Sequence, residues 1–295
     1  MNRYGGLKLE FTDLKSVYPN SYLSDSPIFE DNLLSLPYKN KWIHLPTSSL
    51  TENEINLLIM IYHKKNSHIN QSYSSEWHDY LLGKQSTIPK TSESIRMIQL
   101  KLNNIDRHFD TELWSESAKT LFEPMIDSFF LSDDLYIIIQ PQGKISLDKS
   151  EFQGILQTLE LDFSLKSFCY IGQYWDSSKD LRTLLQEEIE LFSQELPYLK
   201  GRVGSLTDVS LHFFTKDALM DSTVVQELRS KFDTLENWRE LIRALWDNQG
   251  NVSIAAKSLF IHRNTLQYRI ERFYEATGLS LKQIDDLTLC LLLTL

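Results

Sequence analysis

His262, Arg263, Asn264 and Thr265 stand in a row, and Gln267, Tyr268, Arg269 and Arg272 follow at the spacing of a helix surface. These side chains suit hydrogen bonding to nucleic acid. A guanidinium donates a bidentate pair to guanine, a carboxamide pairs with adenine, and cations and hydroxyls meet phosphate. Arg263 is thus the candidate for guanine, Asn264 or Gln267 for adenine, and His262 and Tyr268 for either bases or phosphate. Thr265, Ser253, Lys257, Arg269 and Arg272 are better placed for phosphates. Between Gly250 and Phe273 the cations Lys257, Arg263, Arg269 and Arg272 face one acid, Glu271, a local charge of +3 in a chain of formal charge −10. Positive charge is gathered where phosphate contact needs it.

Two short helices must position these residues. Asn251 is an N-cap candidate, because its short side chain accepts from an otherwise unpaired amide, and Gly250 before it lets the chain turn sharply. A helix is predicted from Val252, with Val252, Ala255, Ala256 and Leu259 as its apolar stripe; the two alanines allow a second helix to cross closely. After an apolar corner at Phe260-Ile261, that second helix turns Leu266, Ile270 and Phe273 inward. At about 100° per residue, Asn264, Gln267, Tyr268 and Glu271 then face outward. Gly278 is expected to end it. Leu235 to Asp247 should brace the pair with Leu235, Trp238, Leu241, Ile242 and Leu245 inward and Trp246 capping the core. Ile284 to Leu293 should close the unit, its leucine-rich run packing on the domain or on a second subunit.

The string Asn251 to Phe273 resembles the C-terminal helix-turn-helix of the PucR/CdaR family of bacterial transcription regulators. The matching residues are Leu241 to Leu245, Asn248 to Val252, Ala255 to Ala256, Leu259, His262 to Leu266, Tyr268 to Ile270, Thr277 to Leu279 and Asp285 to Leu293. The turn and second helix are also similar to the DNA-binding end of the factor for inversion stimulation, where Arg and Thr at the positions of Arg263 and Thr265 meet DNA. The PucR/CdaR resemblance implies an activator of a catabolic operon that responds to a small metabolite. Two copies on half-sites about one helical turn apart would supply usable affinity, so double-stranded DNA and a homodimer are the expected partners.

At 295 residues the chain suits two or three domains. With 42% hydrophobic and 24% charged residues, neither disorder nor a fibrous fold is indicated. No apolar run is long enough to span a bilayer, and MNRYGGLKLEF does not read as a signal peptide, so a cytoplasmic protein is expected. Cys169 and Cys290 are too few for a disulfide framework and read as core thiols. The acidic balance opposes indiscriminate coating of nucleic acid, so binding must be confined to a patch.

The first ninety residues give a short strand at Trp42 to Pro46 and a helix opened by a Thr51/Glu54 capping box, with Ile55, Leu58, Ile59 and Tyr62 on its apolar face. Another helix is predicted over Glu76 to Leu82, ending at Gly83; its Trp77-His78-Asp79 cluster reads as structural rather than catalytic. Gly83 to Ser94 reads as a linker. Beyond it a strand is expected over Ile95 to Leu102, with Ile95, Met97, Gln99 and Lys101 on one face and Arg96, Ile98, Leu100 and Leu102 on the other. Then come a helix from Thr111 to Ile126, a hairpin of Phe129 to Leu131 and Tyr136 to Ile139, a helix from Leu147 or Asp148 to Leu159, a strand Ser167 to Tyr174 and a helix Ser178 to Leu196. This order predicts helices layered on an antiparallel or mixed sheet.

That order resembles the GGDEF-like domain upstream of the helix-turn-helix in the same family. Active diguanylate cyclases carry two glycines then two acids in the hairpin; here Leu131, Ser132, Asp133, Asp134 and Leu135 stand there. Side chains in place of the glycines block a triphosphate, and the acids read as a solvated turn, so no catalysis, metal or cofactor is expected. Lys200 to Ser205, KGRVGS, lacks phosphate-loop spacing and reads as an interdomain turn. Val209 to Phe214 is expected as a last strand or a packed linker, and Asp217 to Phe232 as one helix.

The expected fold class is α+β: a mixed N-terminal segment over 1–90, a candidate sensor; a degenerate GGDEF-like α/β sandwich over 91–200; a connection over 201–233; and an all-α helix-turn-helix domain over 234–295. The competing readings are a nucleotide-cyclase-like or phosphodiesterase enzyme through residues 90–200, and terminal helices that bind protein partners only.

Overall fold

The computed structural model describes residues 10–24, 27–28, 30, 32–38, 41–65, 75–82, 85–91, 94–106, 109–143 and 147–295. The chain divides into two compact units, Met1–Val209 and Ser210–Leu295.

The first unit opens with α1 (Phe11–Val17), β1 (Tyr22–Ser24), β2 (Leu33–Tyr38), β3 (Lys41–Pro46), α2 (Glu52–Lys65) and α3 (Glu76–Leu81). The three strands form an antiparallel sheet ordered β1-β3-β2. The expected capping box is present: Thr51 N donates to Glu54 Oε2 at 2.7 Å, and Glu54 N to Thr51 Oγ1 at 3.3 Å. Alternation along β3 sends Ile43 and Leu45 into one core with Leu14, Leu58 and Tyr62, while Trp42 enters another with Trp77 and Ile137. His78 is buried in this second core, its ring 5.1 Å from that of Phe129 and its Nδ1 3.1 Å from Asp79 Oδ1, which fits a packing role. Gly83, expected to end α3, lies outside the described residues, as do positions 1–9 and part of the expected linker.

There follow β4 (Ile95–Leu102), α4 (Thr111–Leu121), β5 (Asp127–Ser132), β6 (Leu135–Pro141), α5 (Lys149–Phe163), β7 (Ser167–Ile171), α6 (Leu181–Glu195) and β8 (Val203–Ser205). The sheet is mixed and ordered β5-β6-β4-β7-β8, antiparallel except for the parallel β7–β8 pair. β4 is central and separates two cores as its alternation predicts. Ile98, Leu100 and Leu102 join Trp114 of α4 and Phe152 of α5; Ile95 and Met97 join Leu185 and Ile189 of α6. Asp148 caps α5 reciprocally with Glu151.

Several expectations need correction. α4 ends at Leu121 instead of reaching Ile126, because Pro124 cannot continue a helix. β7 stops at Ile171, and α6 starts only at Leu181 behind the Asp180 cap. KGRVGS is no interdomain turn, since Val203–Ser205 hydrogen-bonds to β7 as a fifth strand. The Asp133-Asp134 turn is only partly solvated. Asp134 pairs with Lys101 at 2.6 Å and accepts from Ser132 Oγ at 2.9 Å; burial, then the Asp134 charge, pushes Asp133 up to about 7. Both cysteines are buried; burial raises the Cys169 thiol and pushes Cys290 up to about 12.

At the end of β7 the backbone passes tightly against α6. A Cβ on Gly172 would lie 2.3 Å from the Met97 carbonyl oxygen and 2.6 Å from Glu188 Oε2, so only glycine fits. Glu188 Oε1 accepts from Gln173 N and Trp175 Nε1, each at 3.1 Å, while its buried Oε2 has no partner. Burial pushes this carboxyl up to about 7. Its folded pKa therefore lies above the ordinary 4.5, so its contribution is full below pH 4.5 and is lost as pH rises toward 7. Glu188→Gln is expected to leave stability unchanged at pH 4 and to raise it at pH 8 by on the order of 1 kcal/mol, less than the whole shift at about 1.4 kcal/mol per unit, because a neutral amide makes weaker hydrogen bonds. Urea melts at the two pH values would read this; equal effects at both would contradict it.

The second unit holds most of α7 (Leu206–Asp221), then α8 (Thr223–Phe232), α9 (Trp238–Asp247), α10 (Val252–Ser258), α11 (Arg263–Thr277) and α12 (Ile284–Leu292). Val209 to Phe214 is thus helical, neither strand nor linker, and the single helix expected over Asp217 to Phe232 is two helices, with Ser222 capping the second through Val225 N. No described helix is long and apolar enough to cross a membrane.

Candidate nucleic-acid interface

One core holds α9 to α12 together: Trp238, Leu241, Ile242 and Leu245 of α9, Ala255 and Ala256 of α10, Leu266, Ile270 and Phe273 of α11, and Leu287, Cys290 and Leu291 of α12. The alanines are fully or nearly fully buried, which lets α10 and α11 approach closely. Leu235 packs on this core from the turn before α9, and the leucine-rich end of α12 packs within the unit. Trp246, expected to cap this core, is 36% exposed. Arg243 Nη2 and Arg229 Nε donate to the carbonyls of Thr294 and Leu293, tying down the chain end.

The turns form for local reasons. Gly250, at φ +74°, reverses the chain after α9, and its N–H donates to the Leu245 carbonyl at 2.8 Å. Asn251 Oδ1 then accepts from Ser253 N and Ile254 N, both at 3.1 Å, which starts α10 at Val252 as expected. Gly278, at φ +79°, ends α11 in a left-handed cap. The corner differs from expectation: Phe260 is 97% exposed at φ +54°, and only Ile261 turns toward the core.

His262 is the N-cap of α11, its Nδ1 accepting from Asn264 N at 3.2 Å, so one ring nitrogen is engaged and Nε2 remains to face a partner. Arg263, Asn264 and Thr265 are exposed in the first turn of α11. Tyr268 is 61% exposed one turn further along. Gln267 and Arg269 are half-buried, and the Gln267 amide donates to Glu271 Oε1 at 2.7 Å, so it must share or break that bond to reach a base. Ser253 and Lys257 are exposed on α10. Arg272 is exposed and 3.6 Å from Glu275. Thr265, Tyr268, Arg269 and Arg272 line a cleft of about 680 Å³ beside the turn Thr234 to Trp238. The fold therefore gathers His262 to Thr265, Gln267 and Tyr268 on one end and face of α11, with Arg269 and Arg272 along its flank. Sequence reasoning missed the exposed Phe260 and the Gln267–Glu271 bond; an outward i,i+4 amide–acid pair is the signal that could have found the latter.

Among the described residues no cluster of three or more His, Cys, Asp or Glu could hold a metal ion.

Two short helices crossing at a tight turn, the second presenting its capped N-terminus and polar face, define a helix-turn-helix domain. More particularly, residues 238–294 match the family described as the PucR C-terminal helix-turn-helix domain. A "Leucine-rich protein" of Streptococcus dysgalactiae subsp. equisimilis is 26% identical over 289 residues, 96% of this chain and 99% of that protein. The "Carbohydrate diacid regulator" of Escherichia coli (strain K12) is 39% identical over 89 residues, 25% of this chain and 23% of that one. A crystal structure of a regulator of polyketide synthase expression from Bifidobacterium adolescentis aligns over 68% of this chain and 80% of its own at a TM-score of 0.27 and 15% identity, too distant to bear on the fold.

Proposed function

We propose that this protein is a sequence-specific, DNA-binding transcription regulator that acts as a dimer, an activator answering to a small metabolite. The observation that carries the reading is the exposed Arg263-Asn264-Thr265 run in the first turn of α11, within a match to the PucR helix-turn-helix and in a local charge opposite to that of the chain. α11 enters the major groove, with Arg263 donating to guanine and Asn264 or Gln267 meeting adenine. His262 and Tyr268 contact bases or phosphate, and Thr265, Ser253, Lys257, Arg269 and Arg272 hold the backbone. Bacterial kinship and the carbohydrate diacid regulator's name support a regulator of catabolism. The domain plan has an N-terminal region over 1–90, a non-catalytic GGDEF-like domain over 91–200 whose sheet is completed by the strand Val203–Ser205, a connection over the rest of 201–233 and the DNA-binding domain over 234–295. Side chains at Leu131 and Ser132, and the engagement of Asp134 with Lys101, support the non-catalytic reading of the hairpin.

Selection of bound fragments from the source genome with the purified chain tests this. The expected outcome is a shared motif with two-fold symmetry and half-sites about one helical turn apart. Fragments without any common motif would defeat the reading.

A further inference from the structure

We infer that Phe260, in the turn between α10 and α11, is a further specificity residue of the DNA-reading surface, its ring resting on the 5-methyl group of a thymine in the major groove. The inference rests on the helix-turn-helix reading above. It deepens that reading by adding an apolar contact to a surface otherwise made of polar groups.

Two costs meet at Phe260. Its backbone is left-handed, at φ +54°, where a bulky side chain crowds the following carbonyl and glycine or asparagine is the usual occupant. The other described non-glycine residues in that region are Asn104, Ser164, Asn237 and Gln249, all polar. Its ring is also the most exposed of the large apolar side chains among the described residues. Nothing in the turn itself calls for an aromatic. Phe260 N donates to the Lys257 carbonyl at 3.1 Å and Ile261 N to the Ala256 carbonyl at 3.0 Å, bonds that glycine at 260 would leave in place. Leu259 and Ile261, on either side, pack against the core, so the ring is held out on a fixed corner. A strained backbone that carries a large apolar group into water is accounted for by a partner that covers it.

Charge selects the partner. Lys257 and Arg263, both exposed, lie three residues to either side, and no acid stands between Gly250 and Arg269. A ring set between cations suits a polyanion with apolar spots better than an apolar groove on a protein. Three residues span at most about 11 Å, or about three base-pair steps, so the ring reaches bases beside the one that Arg263 meets. Among the bases thymine alone offers an apolar group in the major groove, its methyl, and phenylalanine is one of the side chains that meet it.

The test replaces each thymine of the selected site in turn by deoxyuridine, which lacks only the methyl, and titrates the full chain as wild type, Phe260→Ala and Phe260→Gly. One replacement, within about three base pairs of the guanine read by Arg263, is expected to weaken wild-type binding about fourfold, the worth of one buried methyl. Both variants should bind the thymine site more weakly than wild type by at least that factor and lose nothing further with uracil, the coupling shown by groups in contact. Phe260→Gly should melt at or above the wild-type temperature, since the left-handed strain is relieved. A wild type indifferent to every uracil, variants that bind as wild type does, or variants as sensitive to uracil as wild type would overturn the inference. So would a Phe260→Gly chain that melts well below wild type, because the ring would then be packed within the protein. Each of these leaves DNA reading by α11 standing, whereas a chain that selects no site would overturn both.

Discussion

Arg263→Ala is expected to weaken binding to the selected DNA site by about 1–3 kcal/mol, roughly 5- to 150-fold, and to change binding to random duplex little. Arg263 is the first residue of α11 and is exposed, and the bond that caps the helix runs from Asn264 N to His262 Nδ1, so truncating Arg263 leaves the helix intact. The loss then falls on base readout. Titration of fluorescent duplexes with wild type and variant would measure it. An equal loss on both duplexes would place Arg263 on phosphate instead.

Phe273→Ala should have a larger effect of another kind. Phe273 lies on the inward face of α11, 3% exposed, with its ring 5.1 Å from that of Phe232, which in turn stacks edge-on to Trp238 at 5.2 Å. Removing it opens a cavity where α8, α9 and α11 meet, at a cost of about 3–5 kcal/mol. That is a large part of the stability of a domain of this size, about 5–15 kcal/mol. Affinity for every DNA sequence is therefore expected to fall together. Hydrogen exchange across α9 to α12 should rise while the sheet of the first unit keeps its protection. Unchanged exchange in α11 would contradict the packing described.

The helix-turn-helix was the most legible part of the chain because each of its boundaries depends on a residue with a specific local job. Asn251 captures two amides, and Gly250 and Gly278 take up left-handed backbone; the adjacent alanines mark a close helix crossing. β4 was legible for a similar reason: alternation in IRMIQLKL sorts residues to two cores. α7 was not, because LTDVSLHFFTKDALMD carries apolar residues around the whole helix and so shows no period of 3.6. β8 is three residues long, one of them glycine, and owes its strand state to pairing with β7, a long-range contact invisible in a local pattern.

At the candidate site, residue types announced what they could bind, and the structure adds which of them are already engaged. Phe260 read as part of an apolar corner because apolar side chains usually turn inward, yet its left-handed backbone carries it out to solvent beside the start of α11. Gln267 read as a free reader, but Glu271 one turn later holds its amide. Asp133 and Asp134 read as solvated because turns usually are, whereas Lys101, two residues from the unpartnered Gln99, draws Asp134 against the sheet.

The most direct measurement of the central claim is the ratio of affinities of the full chain for the selected site and for a shuffled duplex of the same composition, followed as salt is raised. Both affinities should fall steeply with salt, in proportion to the phosphates neutralised, while the selected site stays preferred by about a thousandfold or more. A ratio near one at every salt concentration, or an affinity indifferent to salt, would contradict base reading by α11 and make the helix pair a surface for protein.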